Sequence, residues 1–187
     1  MGLCEGGEGC AMDERLKTFY ELFERRKSIR EFADRPVGLD VLARLFMALN
    51  RAQSAANRQP WHFIAVEKKD RAELNGVFTK EGFRDAPLVI VACADPAQAW
   101  VRKTDKVNYA WVDVTIAVTE MISVATAEGL GSCWVAAIDA DRVKGILNIP
   151  GHIEVVGLIA LGYPKDELKK EPKARKPLTE IMHYGRW

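Results

Sequence analysis

V-N-Y-A-W-V-D-V-T-I-A-V-T-E-M-I-S-V-A-T-A-E, residues 107–128, is the stretch whose reading decides the fold. It describes one long helix, apolar on most sides, and Gly129-Leu130-Gly131 closes it with a C-terminal stop signal. At about 1.5 Å per residue its 22 residues reach roughly 33 Å, the width of a small domain. A helix apolar nearly all round must be covered nearly all round. Four core strands and a few short helices are thin cover, so a second subunit is expected against it, most simply in a two-fold dimer. Asp113 and Glu120 interrupt the apolar text, which argues against a membrane span. On the helix they lie seven apart on one face, and buried hydrogen-bonding partners are the preferred reading over an acid pair.

Outward from this helix, the pattern alternates between helical and extended text. Leu16, Phe19, Tyr20 and Phe23 fall at helical spacing, and the helix stops near Arg25-Arg26-Lys27-Ser28. Gly38 or Asp40 opens a second helix with Leu42, Leu45, Phe46 and Leu49 on one stripe, ending around Ala52. Residues 62–67 alternate like a half-buried strand, and 70–78 read as a short helix. Leu88-Val89-Ile90-Val91-Ala92-Cys93 is a strand covered on both faces. Further strands are predicted at 133–138 and 154–162, with a helix capped by Asp139 between them and running to Leu147. The tail, 163–187, is basic and broken by proline, with Leu178, Ile181 and Met182 marking a brief ordered segment. Residues 13–187 therefore read as one α+β domain, preceded by a flexible leader, 1–12.

With 187 residues, 48% apolar and 28% charged, the chain is long enough for a real core and has a globular balance. A net charge of +1 gives no global field to recruit nucleic acid or an anionic membrane. The leader, MGLCEGGEGC at its start, has neither the basic start nor the apolar run of a secretory signal. Gly6 stands where a myristoylation signal wants Ser or Thr. Cys93 and Cys133 sit in apolar runs as small core hydrophobes, which suits a reducing compartment. A cytoplasmic protein is expected. Cys4 and Cys10 are six positions apart and match no metal pair; a thiol or metal role is the rival to a bland tail.

Chemistry-bearing residues cluster in three places. Arg25-Arg26-Lys27-Ser28-Ile29-Arg30 could clamp a phosphate, or its cations could simply complement the helix dipole. The dipole reading has no use for Ser28. Lys169-Lys170-Glu171-Pro172-Lys173-Ala174-Arg175-Lys176 is a second clamp candidate or a solvated basic tail. S-A-A-N-R-Q-P-W-H-F, residues 54–63, turns from helix to strand through Ser54, Asn57 and Gln59. Such a corner is either a polar helix exit or a set of neutral partners for a ligand. No phosphate loop, serine elbow or triad is present, and His62, His152 and His183 lack metal spacing, so no metal is expected. Polar groups that bind without reacting suggest a cofactor that brings its own chemistry.

The order R-K-S-I-R-E-F-x-D-x-P-V, S-A-A-N-R-Q-P-W-H-F, G-L-G-S-C-W and R-K-P-L-x-E-I-M-H-Y-G-R-W resembles the FMN-dependent nitroreductases, from about Arg26 to Trp187. The resemblance implies a sandwich with a central, mostly antiparallel sheet flanked by helices, the long buried helix lying at a homodimer interface with two FMN molecules. It implies that Arg26, Lys27 and Ser28 hold the phosphate and ribityl oxygens, and that Arg30 sits near the pyrimidine edge as an electrostatic stabiliser. Lys173 and Arg175 would close on the phosphate. Backbone groups of Ala136 and Ala137 would face N5 and O4, while Ser54 and Asn57 reach across to the partner's flavin. No side chain is implied as a catalytic acid, base or nucleophile.

The activity implied is a ping-pong transfer of two electrons from NADH or NADPH through FMN to a nitroaromatic, quinone or related acceptor. The sequence departs from the family pattern in places. Gln53 stands where the family often has Pro, and Ala136-Ala137 where many relatives carry Gly or Glu-Gly. Those methyl groups could narrow the reactive edge, which keeps a flavin-binding module without turnover as an alternative. Reductive dehalogenation or flavin fragmentation on the same fold is another. No long insertion covers the substrate side; residues 97–108, with Trp100 and Tyr109 nearby, are the lid candidates.

Overall fold

The apolar run forms the middle of the molecule. In the computed structural model, which describes residues 13–79, 81–166 and 173–187, strand β2 (Leu88–Ala94) is buried along its whole length. It pairs antiparallel with β1 (Trp61–Glu67) on one side and β4 (Glu154–Gly162) on the other, and β3 (Gly131–Val135) pairs antiparallel with β4. The sheet order is β1-β2-β4-β3. All three pairings are antiparallel, as the resemblance implies.

Strand alternation divides the core in two. Leu88, Ile90, Ala92 and Ala94 point to the face covered by helices α2 (Leu39–Arg51) and α3 (Ala110–Ala127). Val89, Val91 and Cys93 point to the opposite face, covered by Ile29, Phe32, Phe83 and helix α4 (Ala140–Leu147) through Val143. Cys93 and Cys133 both belong to this second layer as buried thiols. Arg44 of α2 donates to Glu128, just past the end of α3, at 2.5 and 2.8 Å, and so ties the two helices together.

Helix α3 starts at Ala110 rather than at Val107. Lys106 has φ +64°, outside helical geometry, and Asn108 Oδ1 accepts from the Ala110 amide at 2.9 Å, satisfying a first-turn donor. Ala110, Val114, Ala117, Val118, Met121 and Ala125 are buried, but Trp111 is 50% and Val112 44% exposed. By length and composition α3 could cross a membrane; here eight of its residues are buried in the core.

Other boundaries moved for identifiable reasons. Residues 70–78 do not form one α-helix: a 3₁₀ turn spans Leu74–Val77, with Gly76 and Phe78 amides bonded three residues back. Strand β3 spans Gly131–Val135 and not 133–138, because the Ile138 amide turns back to the Ala136 carbonyl at 2.9 Å. Helix α1 (Glu14–Arg25) carries the expected apolar stripe yet buries none of its residues; Phe19 and Phe23 are both more than half exposed. The leader, with Cys4 and Cys10, and Lys169-Lys170 of the second basic cluster lie outside the described residues.

Candidate functional site

The basic segment after α1 is held against the sheet by main-chain bonds. The Arg26 amide donates to Leu22 O as the helix ends, and Arg26 leaves in extended geometry. Ser28 then bridges Ser132 of β3 in parallel, and the Ile29 amide donates to Ser132 O at 2.9 Å. Gly131 makes this approach possible: a Cβ there would lie 2.7 Å from the Ile29 side chain. Among the described residues, the exposed side chain of Arg30 reaches Ser28 O, at 3.4 Å.

The C-terminal segment returns to the same place. Lys173 donates its ammonium to Phe23 O, one of the carbonyls that α1 leaves unsatisfied. Its pKa is lowered by burial and, next, by the Arg26 and Arg175 guanidinium groups; the Glu24 carboxylate works against them. Arg26 and Arg175 therefore both stand close enough to Lys173 to repel it. Arg26 also lines an apolar groove of about 530 Å³ between α1 and α3, with Phe19, Phe23, Glu120 and Ser123. Glu120 is exposed there, whereas Asp113 is buried.

The corner after α2 is built differently. Ala56, Asn57 and Gln59 all have φ near +50°, an uncommon conformation for residues other than glycine. Ser54 Oγ accepts from the Gln59 amide at 3.0 Å, and Asn57 Oδ1 accepts from Gln59 Nε2 at 3.1 Å. With those oxygens engaged, the Ser54 hydroxyl proton and the Asn57 amide N–H groups are what the corner can offer outward. Asp113 Oδ1 accepts from the Ala55 amide at 2.9 Å and fastens the corner to the first turn of α3. The sequence marked Asp113 as a buried hydrogen-bonding residue but not its partner, since nothing local links positions 55 and 113.

One chain does not bring every candidate together. Arg26, Lys27 and Ser28 lie with Lys173 and Arg175 at the end of α1. Exposed Ala136 and Ala137 follow β3, four residues beyond the Ser28 bridge point, or about 13 Å along the strand. Ser54 and Asn57 are tied to Asp113, while Arg26 lies beside Ser123, roughly 15 Å further along α3. The proposed lid, 97–108, folds on itself: Tyr109 N donates to Trp100 O at 3.0 Å, and the Trp100 and Tyr109 rings meet edge to face at 5.0 Å. His62 and His152 are exposed on the opposite sheet layer, and His183 stacks on Trp187. Among the described residues, no group of three or more His, Cys, Asp or Glu is placed to hold a metal.

Comparison with known proteins places this arrangement in a family. The Nitroreductase family model matches residues 23–81 and 75–163. The chain belongs to the nitroreductase family. An Archaeoglobus fulgidus protein with the provisional name NADH dehydrogenase/NAD(P)H nitroreductase is 35% identical over 94% of this chain and 100% of its own length. A nitroreductase family protein from Clostridium difficile 630 superposes with a TM-score of 0.82 at 29% identity, over 89% of this chain and 98% of the other. An FMN-dependent nitroreductase from another Clostridium difficile strain gives 0.74 at 27% identity, over 89% and 98%. More distant relatives are the 5,6-dimethylbenzimidazole synthase of Rhodospirillum rubrum, 26% identical over 88% of this chain and 86% of its own, and human iodotyrosine deiodinase 1, 24% over 91% and 70%.

Proposed function

We propose that residues 13–187 form one FMN-binding domain and that the protein works as a homodimer. In this reading it passes two electrons from NADH or NADPH to a nitroaromatic, quinone or related acceptor by a ping-pong cycle. The observation that carries it is the cation cluster at the end of α1. Lys173, anchored on Phe23 O at the end of α1, feels the like charges of both Arg26 and Arg175, a gathering of cations that a shared anion would explain. Four cations with the Ser28 hydroxyl fit a phosphate monoester, and a planar polar ring system suits the neutral donors elsewhere.

When bound, FMN supplies the redox chemistry and the protein supplies orientation and electrostatics. Arg26, Lys27, Ser28, Lys173 and Arg175 neutralise the phosphate. Arg30, fixed by its backbone and with its exposed guanidinium bonded only weakly to Ser28 O, presents a cation to the pyrimidine edge. Main-chain groups of Ala136 and Ala137 border the reactive edge. Ser54 and Asn57 serve the cofactor of the second subunit, as the family resemblance implies. The uncovered faces of α1 and of α3 at Trp111 and Val112 support the dimer, and the buried thiols support a cytoplasmic setting.

The test is the visible spectrum of freshly purified protein, with identification of the released flavin, followed by NAD(P)H consumption with a quinone. Yellow protein that releases FMN and turns over is the expected result. A colourless protein that ignores added FMN defeats the reading, and one that binds FMN without turnover is the storage or regulatory module. The names of the two distant relatives favour one further reading, a divergent reaction on the same fold. Product analysis with an iodinated phenol or with reduced FMN under oxygen separates it from plain acceptor reduction.

A further inference from the structure

The connection between β1 and β2, residues 68–87, is built around an arginine that is only 1% exposed. Arg71 donates Nε to Asn75 Oδ1 at 3.0 Å, and Nη2 to Arg84 O at 2.7 Å and to Ala86 O. Burial pushes its pKa down to about 10, opposed by Asp85, so it is charged at neutral pH. A buried guanidinium is costly, and an apolar side chain of similar volume would fill the same space. Its Nη2 alone holds the carbonyls on both sides of Asp85, while Nε fixes the plane of the group on Asn75.

The turn so held, Glu81–Asp85, lies directly against the basic segment. A Cβ on Gly82 would lie 2.2 Å from Arg30 O, a main-chain atom that cannot swing aside. On the other side, the Ile29 amide is bonded to Ser132 and its side chain fills the hollow over Gly131. Pro87, at the end of the connection, packs with Phe32 over Gly162. The main chain at Arg30 is gripped between β3 and this turn, and its guanidinium is left outside.

We propose that Arg71 and Gly82 are positioning residues for Arg30: the buried arginine sets the turn, and the glycine lets the turn seat the Arg30 carbonyl. The inference rests on the FMN reading of the site. Neither residue touches the cofactor, so their effect must pass through Arg30.

The test is the midpoint potential of bound FMN in Gly82→Ala and Arg71→Lys, each alone and combined with Arg30→Ala, with thermal unfolding of the same samples. Displacing the cation is expected to cost about tenfold in the preference for reduced over oxidised FMN, about 30 mV more negative for a two-electron couple. Both shifts should vanish in the Arg30→Ala background, which a general loosening of the fold would not produce. If Gly82→Ala fails to fold, Arg71→Lys carries the test alone. Variants that bind FMN at the wild-type potential, or shifts that persist without Arg30, overturn the positioning role. Wild-type protein that binds no FMN overturns the reading of the site instead.

Discussion

Asp113, buried in the first turn of α3, accepts a hydrogen bond from the Ala55 amide at 2.9 Å, and its second oxygen has no hydrogen-bond partner among the described residues. One carboxylate oxygen thus holds a corner in which three residues near φ +50° store backbone strain.

Asp113→Ala is expected to release that corner, at a cost of about 1–3 kcal/mol for the amide left without its partner. Asp113→Asn keeps an acceptor for Ala55 but puts an amide N–H₂ where the partnerless oxygen stood, so it should hold the corner better than the alanine variant. Amide exchange at Ala55 distinguishes the two: at least tenfold faster in the alanine variant and near wild type in the asparagine variant. Equal exchange in both would mean that Asp113 does not anchor the corner.

Arg175→Ala and Arg30→Ala should fail in different ways. Arg175→Ala is expected to weaken FMN binding by roughly tenfold to a hundredfold, as for one lost charge-assisted bond. Arg30→Ala should retain FMN better but slow its reduction by NAD(P)H. Fluorescence titration and stopped-flow absorbance read the two quantities, and normal FMN affinity in Arg175→Ala would remove that residue from the phosphate grip.

The Arg44–Glu128 pair gives an acid-sensitive component of stability. Arg44 holds the Glu128 carboxyl below its ordinary value of 4.5. A depressed carboxylate contributes stability that is present above the unfolded pKa and lost as pH falls through the folded one. Melting temperature should therefore drop on acidification below about pH 5, and less steeply in Glu128→Gln. Parallel curves would show that the pair contributes nothing measurable, as many exposed pairs do.

Gly131→Ala tests how tightly the basic segment is seated. The added methyl would meet Ile29 at 2.7 Å. Overpacking of this kind costs about 1–3 kcal/mol, or about 2–12 °C in melting temperature for a chain of this size. FMN retention should fall with it. A stable variant that loses no FMN would show that residues 26–30 do not depend on this contact.

What could be read from the sequence was what neighbouring residues decide. The unbroken apolar run at 88–93 and the capping aspartate at 139 state their roles locally, and both behave as expected, the strand running one residue further to Ala94. The cation clusters were visible as composition. That Lys173 meets Phe23 O is a consequence of the return of the chain, and no reading of the sequence anticipated that contact. The helix expected at 70–78 failed because a tertiary demand, the Arg71 fork on Arg84 and Ala86, overrides a helical pattern that is locally sound. Asp113 was legible as a buried hydrogen-bonding residue, but its partner, an amide 58 positions away, was not; Gly82 gave no signal, because it acts through space that it leaves empty.

The contact between Phe23 and Lys173 also sets a timetable. Its two halves are 150 residues apart. At a synthesis rate of about 5–20 residues per second, roughly 8–30 s separate their appearance from the ribosome. The nascent chain can complete all four strands before the second half of the grip exists. On the proposed FMN reading, loading would be a late event, and a product that stops short of residue 173 would carry the four described strands without the Lys173 and Arg175 cations.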